Sequence, residues 1–345
     1  MEILNFKSVN IICLLLALGM ANAIPASAQK ESHVPVIFET DMGNDVDDGL
    51  ALAMLFRYAD DGVINLLGIS NNKQSLSSLQ FIDLMRRKYG YPQLPIATVQ
   101  NGVQGENEAK SFARKVMDYK EDGRLVYSSR VKNYKHVESA VHFYRRMLAN
   151  AKDTSVVIIS VGFSSNLAAV LESKPDRYSI LNGRELIARK VKFLSTMAGN
   201  FSSSKQKEFN IISDLPASRK VFRDWPGPIY ISPFEVGASI HFPATVIEAN
   251  LGYKGHHPLV TAYKEYIPMP YNRETWDLSS VLFAVEPEVH YFQVSKPGKL
   301  VVDEDGYTQF NEDINGRHYF LHTPSRPEGA KIKDRYVELI RAVTP

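Results

Sequence analysis

Cysteine is almost missing from this chain. One residue in 345, Cys13, carries a thiol, and it lies inside the apolar run 11–20 near the N-terminus. Trimming the chain beyond that run would leave neither a disulfide framework nor a thiolate metal centre. Long hydrophobic runs are missing as well: 11–20 is too short to span a bilayer. With Lys7 before it and small-residue sites Ala21-Asn22-Ala23 and Ala26-Ser27-Ala28 after it, the segment 1–28 has the layout of a secretory signal peptide, cleaved near Ala23 or Ala28. Residues 29–345 are then expected in the periplasm or outside the cell as one globular domain, with no membrane attachment after cleavage. An excess of charge of either sign is also missing. Forty basic residues against 38 acidic ones leave a net charge of +2, which gives no attraction to nucleic acid or to a membrane surface. Arg86-Arg87-Lys88 and Arg145-Arg146 read as solvated helix faces. There is no internal repeat and no low-complexity linker.

What the chain has instead is carboxylate, concentrated in one place. Residues 34–55 begin as a short apolar run, 34–38, of the kind that makes a buried strand, and end as a helix-like run, 50–58. Between them stand Glu39, Asp41, Asp45, Asp47 and Asp48, punctuated by Gly43 and Gly49. One or two aspartates there would cap the helix and meet the positive end of its dipole. Four exceed what a cap needs, and crowding them at the end of a buried strand is costly unless a cation or a substrate shares the charge. Oxygen ligands of this kind suit Ca²⁺ or Mg²⁺. An EF-hand loop would need Glu at its twelfth position, and no register supplies it. A nucleophilic-aspartate phosphoryl-transfer loop would want Asp at Glu39 and a hydroxyl at Gly43.

Downstream the strand–turn–helix pattern repeats. Strands are expected at 63–70, 94–99, 155–161, 191–197 and 228–232, and helices at 75–89, 136–149 and 216–222. This alternation predicts an α/β fold with a mostly parallel, doubly wound sheet, Rossmann-like, whose ligands sit beyond the C-terminal strand ends. Asn71-Asn72 falls at that edge, as a turn or as a binding pair. The polar segment 100–130 reads as a loop with a short helix over the site, a candidate lid. Gly162-Phe163-Ser164-Ser165-Asn166 reads as a βα turn, and Glu208-Phe209-Asn210 as alternation across a sheet face. His256-His257 reads as surface or loop histidine, since adjacent side chains on one chain diverge and no third ligand is near. Thr275 and Asp277 open a helix, with Trp276 packed on the core. From residue 290 the pattern changes to short strands at 291–294, 300–303 and 307–310, an added C-terminal β-hairpin, followed by a helix at 332–343.

The acidic stretch resembles the aspartate signature of the nucleoside hydrolases, the inosine–uridine-preferring type, whose first strand ends Asp-x-Asp and runs into a Gly-x-Asp-Asp turn. Glu39 stands for the first Asp, and the turn Gly43-Asn44-Asp45-Val46-Asp47-Asp48 is longer. Glu208-Phe209-Asn210 matches a second signature of that family. The resemblance implies a Ca²⁺ ion held by Asp41, Asp48, Asp277 and the main-chain carbonyl of Val161, with Asp41 also the catalytic base. It implies a ribose held by Asp47 (or Asp45), Asn72, Met197, Asn200, Glu208 and Asn210. Where the family often has His before the helix-opening Asp, this chain has Trp276, which looks like the purine-preferring branch that stacks the base between aromatic rings. The implied activity is calcium-dependent hydrolysis of ribonucleosides to ribose and free base, in purine salvage. The implied partner is a small nucleoside and the implied assembly a homo-oligomer, dimer or tetramer. The competing readings are a non-catalytic periplasmic calcium-dependent nucleoside or sugar receptor, and a hydrolase of another ribosyl or glycosyl substrate.

Overall fold

The apolar start of the acidic stretch is strand β1, Val34–Thr40, and it lies inside a ten-stranded sheet. The computed structural model describes residues 33–104, 108–203, 206–251 and 256–341; the expected leader 1–28 lies outside the described residues. The other strands are β2 Ile64–Asn71, β3 Ile96–Thr98, β4 Glu138–Ser139, β5 Val156–Ser160, β6 Val191–Met197, β7 Ile229–Ser232, β8 Gly298–Val302, β9 Thr308–Glu312 and β10 His318–Phe320. They lie in the order β9-β8-β10-β7-β6-β5-β1-β2-β3-β4. From β10 to β4 every pairing is parallel, while β8 is antiparallel to both β9 and β10. The expected α/β sheet and the added hairpin are both present.

Side chains along β1 alternate between two cores, as a pleated strand requires. Val36 and Phe38 pack with the helices Asp47–Asp60, Trp276–Val285 and Arg326–Arg341. Ile37 packs on the other face with Ala140–Asn150, Ser165–Leu171, Gly183–Lys190 and Leu215–Asp224. The strand order reverses between β1 and β5, so a crevice opens beyond their C-terminal ends, where a doubly wound sheet binds its ligands.

Several expectations are corrected. Arg145 is not on a solvated face: it is 1% exposed, ion-paired to Asp176 at 2.9 Å and donating to Ser173 Oγ and to the carbonyls of Ser179 and Leu181. Burial of a guanidinium is tolerated there because its hydrogen bonds are largely supplied. His257 stands in a loop, as expected, but is buried and not on the surface, and its Nδ1 accepts the Leu259 N–H as the cap of helix Pro258–Tyr266. Glu208-Phe209-Asn210 is not strand; Glu208 caps the helix Phe209–Ser213. No lid forms from 100–130 among the described residues. Its helix Phe112–Met117 buries Phe112, Ala113 and Val116 in the core instead. Segment 291–294 makes only an isolated bridge, Val294 to Leu321, and the strand that joins the hairpin to the parallel sheet is the three-residue β10. The last helix begins at Arg326, six residues before the expected 332. Pro327 suits a first turn, and the Glu328 carboxylate receives the Ser325 N–H at 2.7 Å.

Burial pushes the imidazoles of His318 and His257 down to about 4 from an ordinary 6.5. Between those values the unfolded chain binds a proton that the folded chain does not, so the stability these two imidazoles contribute is complete above pH 6.5 and falls as the pH drops toward 4, while the buried carboxyls Glu39, Glu208 and Asp41 act in the opposite sense. Each histidine contributes about 3 kcal/mol to that loss. Relative to His318→Gln, the parent is expected to lose stability between pH 7 and pH 5, read from denaturant unfolding of the two proteins at both pH values.

Candidate active site

The end of β1 carries the chemistry into the crevice. A single cleft of ≈ 340 Å³ is lined by Asp41, Asp45, Asp47, Asp48 and Asp277, by Val161, Met197, Asn200, Glu208 and Asn210, and by Phe234, Tyr266, Arg273 and Trp276, among others. All the residues singled out for metal, base and ribose binding are therefore brought together, except Asn72. Asn72 lies fully buried in the layer beneath, where its Nδ2 donates to Glu39 Oε1 at 3.2 Å. Glu39 also accepts the Tyr144 hydroxyl at 2.5 Å, and burial pushes its carboxyl up to about 8.

Each aspartate is held by a neighbour. Asp41 Oδ2 accepts the Asn44 amide at 2.5 Å, and Asn44 Oδ1 accepts the ammonium of the fully buried Lys73 at 2.5 Å. The Thr40 hydroxyl donates to Asp48 Oδ1. Asp47 Oδ2 accepts the Asp277 N–H at 3.1 Å, joining the first turns of two helices. Burial pushes the Asp41 carboxyl up to about 6, while the Asn44 amide and the Lys73 charge pull it back. Asp47, Asp48 and Asp277 are pushed well above the carboxylate range, first by burial and then by neighbouring carboxylates: Asp45 acts on Asp47, Asp41 and Asp47 on Asp48, and Asp47, Asp48 and Asp41 on Asp277. Mutual repulsion of this kind is relieved by a cation. The donor set, carboxylates with the Val161 carbonyl and no thiolate or imidazole among the lining residues, fits a hard divalent ion. Among the described residues no three acidic, histidine or cysteine side chains are drawn together tightly enough to grip one; Asp48, Asp41 and Asp47 are engaged by Thr40, Asn44 and the Asp277 amide.

On the opposite wall Glu208 receives the N–H groups of Asn210 at 2.7 Å, Ile211 at 3.1 Å and Gly199 at 3.2 Å. Burial nevertheless pushes its carboxyl up to about 7. Asn210 Nδ2 bridges the carbonyls of Val161 at 3.1 Å and Met197 at 3.2 Å, tying β5 to β6. Asn200 is braced by the C-terminal hairpin, since its N–H donates to Thr308 Oγ1 at 2.9 Å and its carbonyl accepts that hydroxyl at 3.1 Å. The hairpin thus supports the site's loop from behind. Trp276 is half-buried, packed against the core as expected, and it also lines the cleft, stacked on Phe234 with centroids 5.5 Å apart.

Sequence reasoning missed Asn44, Lys73, Phe234, Tyr266 and Arg273. Lys73 follows Asn72 directly and Arg273 precedes Trp276 by three, so proximity to known positions was the available signal. Gly162 shows how tightly β5 closes on β1: a Cβ there would lie 2.6 Å from Asp41 N and 2.7 Å from both Asp41 Oδ1 and Asn72 Oδ1. Gly162→Ala is expected to cut kcat at least tenfold by shifting Asp41, a misplacement of the kind that costs about 10²-fold per ångström, and steady-state rates check it.

A parallel sheet with a carboxylate-lined cleft at its switch point defines an α/β enzyme scaffold. The profile of the inosine-uridine preferring nucleoside hydrolases matches residues 36–315, and the chain belongs to that family: it is a ribonucleoside hydrolase, an N-glycosidase. A purine-preferring ribonucleoside hydrolase from Gardnerella vaginalis shares the fold, with TM-score 0.68, 18% identity, and coverage of 89% of this chain and 99% of that one. So does an inosine-uridine preferring nucleoside hydrolase from Bacillus anthracis (TM-score 0.65, 17% identity, 90% and 99% covered). So does a type III effector, XopQ, complexed with adenosine diphosphate ribose (TM-score 0.65, 14% identity, 90% and 94% covered). A comparison with curated proteins finds no match.

Proposed function

We propose that this chain is exported and hydrolyses purine ribonucleosides with the help of calcium. The observation that carries the reading is the cleft itself, with four buried aspartates on one wall, Glu208 and Asn210 on another, and the stacked Phe234–Trp276 pair beside them. Asp41, Asp48, Asp277 and the Val161 carbonyl would hold Ca²⁺, with waters and ribose hydroxyls completing a site of about eight oxygens. When bound, the ion supplies charge that orients a water and lowers its pKa.

Asp41 would act as general base, taking the proton from the water that attacks C1′. Asn44 and Lys73 fix the orientation of the Asp41 carboxylate and favour its charged form. Asp47, Asn200, Glu208 and Asn210 hold the ribose, and the surrounding carboxylates stabilise the oxocarbenium-like charge that develops on it. Phe234 and Trp276 stack the departing base, worth about 1 kcal/mol beyond burial.

Ribose release from inosine, guanosine, adenosine, uridine, cytidine and 2′-deoxyinosine tests the reading. Purine ribosides are expected to lead in kcat/KM, and 2′-deoxyinosine to fall on the order of 10²-fold or more below inosine, because polar groups built for a hydroxyl reject its absence. Equal rates for uridine and inosine would overturn the purine preference.

A further inference from the structure

Asn44 and Asp45 are neighbours in the lengthened turn, and they are tied to different partners around the cleft. Asn44 goes to Asp41 and Lys73. Asp45 goes 228 residues along the chain to Arg273, with Nε donating to Oδ1 at 2.9 Å and Nη2 donating to Oδ2. Arg273 Nη2 also donates to the Tyr266 hydroxyl at 3.1 Å, and that hydroxyl donates to Asp45 Oδ2 at 3.2 Å. The guanidinium so fixed lies over two rings, 5.0 Å from the Trp276 centroid and 5.1 Å from that of Tyr266. Trp276 is held from two further directions. Its Nε1 donates to the Phe234 carbonyl at 3.0 Å, and Gly237 packs so closely that a Cβ there would lie 2.3 Å from Trp276 Cα.

We propose that Asp45 and Arg273 form a clamp that sets the pose of Trp276, so that the turn carrying the catalytic aspartates also positions the wall that receives the base. Asp45 is then a positioning residue and not a ribose ligand, which leaves the ribose to Asp47. The fork of an arginine on a carboxylate fixes direction as well as distance, and here it aims the charged face at an indole. The pair is partly exposed, with side chains 17% and 25% accessible. An ordinary rim ion pair of that exposure would contribute almost nothing; the clamp differs because it holds a ring that faces the substrate. Its consequence for turnover rests on the nucleoside reading above, whereas its structural half does not.

The chain has two tryptophans, so Trp225→Phe makes Trp276 the sole reporter. In that background, Asp45→Asn, Arg273→Lys and the double variant are compared by Trp276 emission and acrylamide quenching without substrate, and by kcat and KM for inosine. The clamp predicts Trp276 more readily quenched in each variant and KM raised about tenfold with kcat changed less. It also predicts a double variant no worse than either single one, as coupled residues require. Arg273→Lys keeps a cation and covers the case in which Asp45→Asn lowers stability too far. Unchanged quenching, or effects that simply add, would overturn the clamp. If the parent hydrolyses no nucleoside, the functional reading fails while the quenching arm still decides the clamp.

Discussion

Asp41→Asn is expected to lower kcat for inosine by about 10²–10⁴-fold, the range a general base contributes, with a much smaller change in KM. Asparagine keeps the shape of the side chain and can still meet Asn44, so the turn stays folded. What it loses is the ability to take a proton, together with one charge toward calcium, which saturating calcium offsets. Because Asp41 raises its neighbours Asp48 and Asp277 through charge, its neutralisation relieves repulsion in the buried cluster. The variant is therefore expected to melt no lower than the parent in chelator. Steady-state kinetics at saturating calcium, with thermal unfolding alongside, measure both. A kcat within threefold of the parent would assign the base elsewhere.

Asp48→Ala is the second large effect. Asp48 is buried, held by the Thr40 hydroxyl and crowded by Asp41 and Asp47, and alanine leaves that position with no oxygen donor. Turnover is expected to disappear, together with stabilisation by calcium. A ligand that binds only the folded chain stabilises by about 2.7 kcal/mol at one hundred times its Kd. The parent is expected to show a rise of that kind on calcium addition and Asp48→Ala none. In chelator the order reverses, because removing one of several like charges stabilises the cluster. Unchanged activity in Asp48→Ala would refute its place as a ligand.

Most of the frame was legible from residue pattern. Periodicity located β1, β2, β5, β6 and β7 to within a residue or two, because buried parallel strands are written as short apolar runs between turn residues. The site was legible where a local motif carries it: Asp41, Asp47 and Asp48 at a strand-to-helix turn, Glu208 and Asn210 around Phe209, Asp277 at a helix start. What pattern could not supply is pairing over long separation. Asp45 meets Arg273 across 228 residues, and Lys73 reaches Asn44 across 29; neither contact leaves a periodic trace. Arg145 misled for the same reason. Beside Arg146 it reads as surface charge, and only Asp176 and three oxygens from distant turns account for its burial. Glu208-Phe209-Asn210 misled differently, since alternation over three residues looks the same in a strand as in the first turn of a capped helix.

Ribose released from inosine by the purified chain, in excess chelator and again after calcium is restored, tests the central assignment most directly. Turnover that vanishes in chelator and returns in full with calcium is the predicted result. Hydrolysis that continues undiminished in chelator would contradict it.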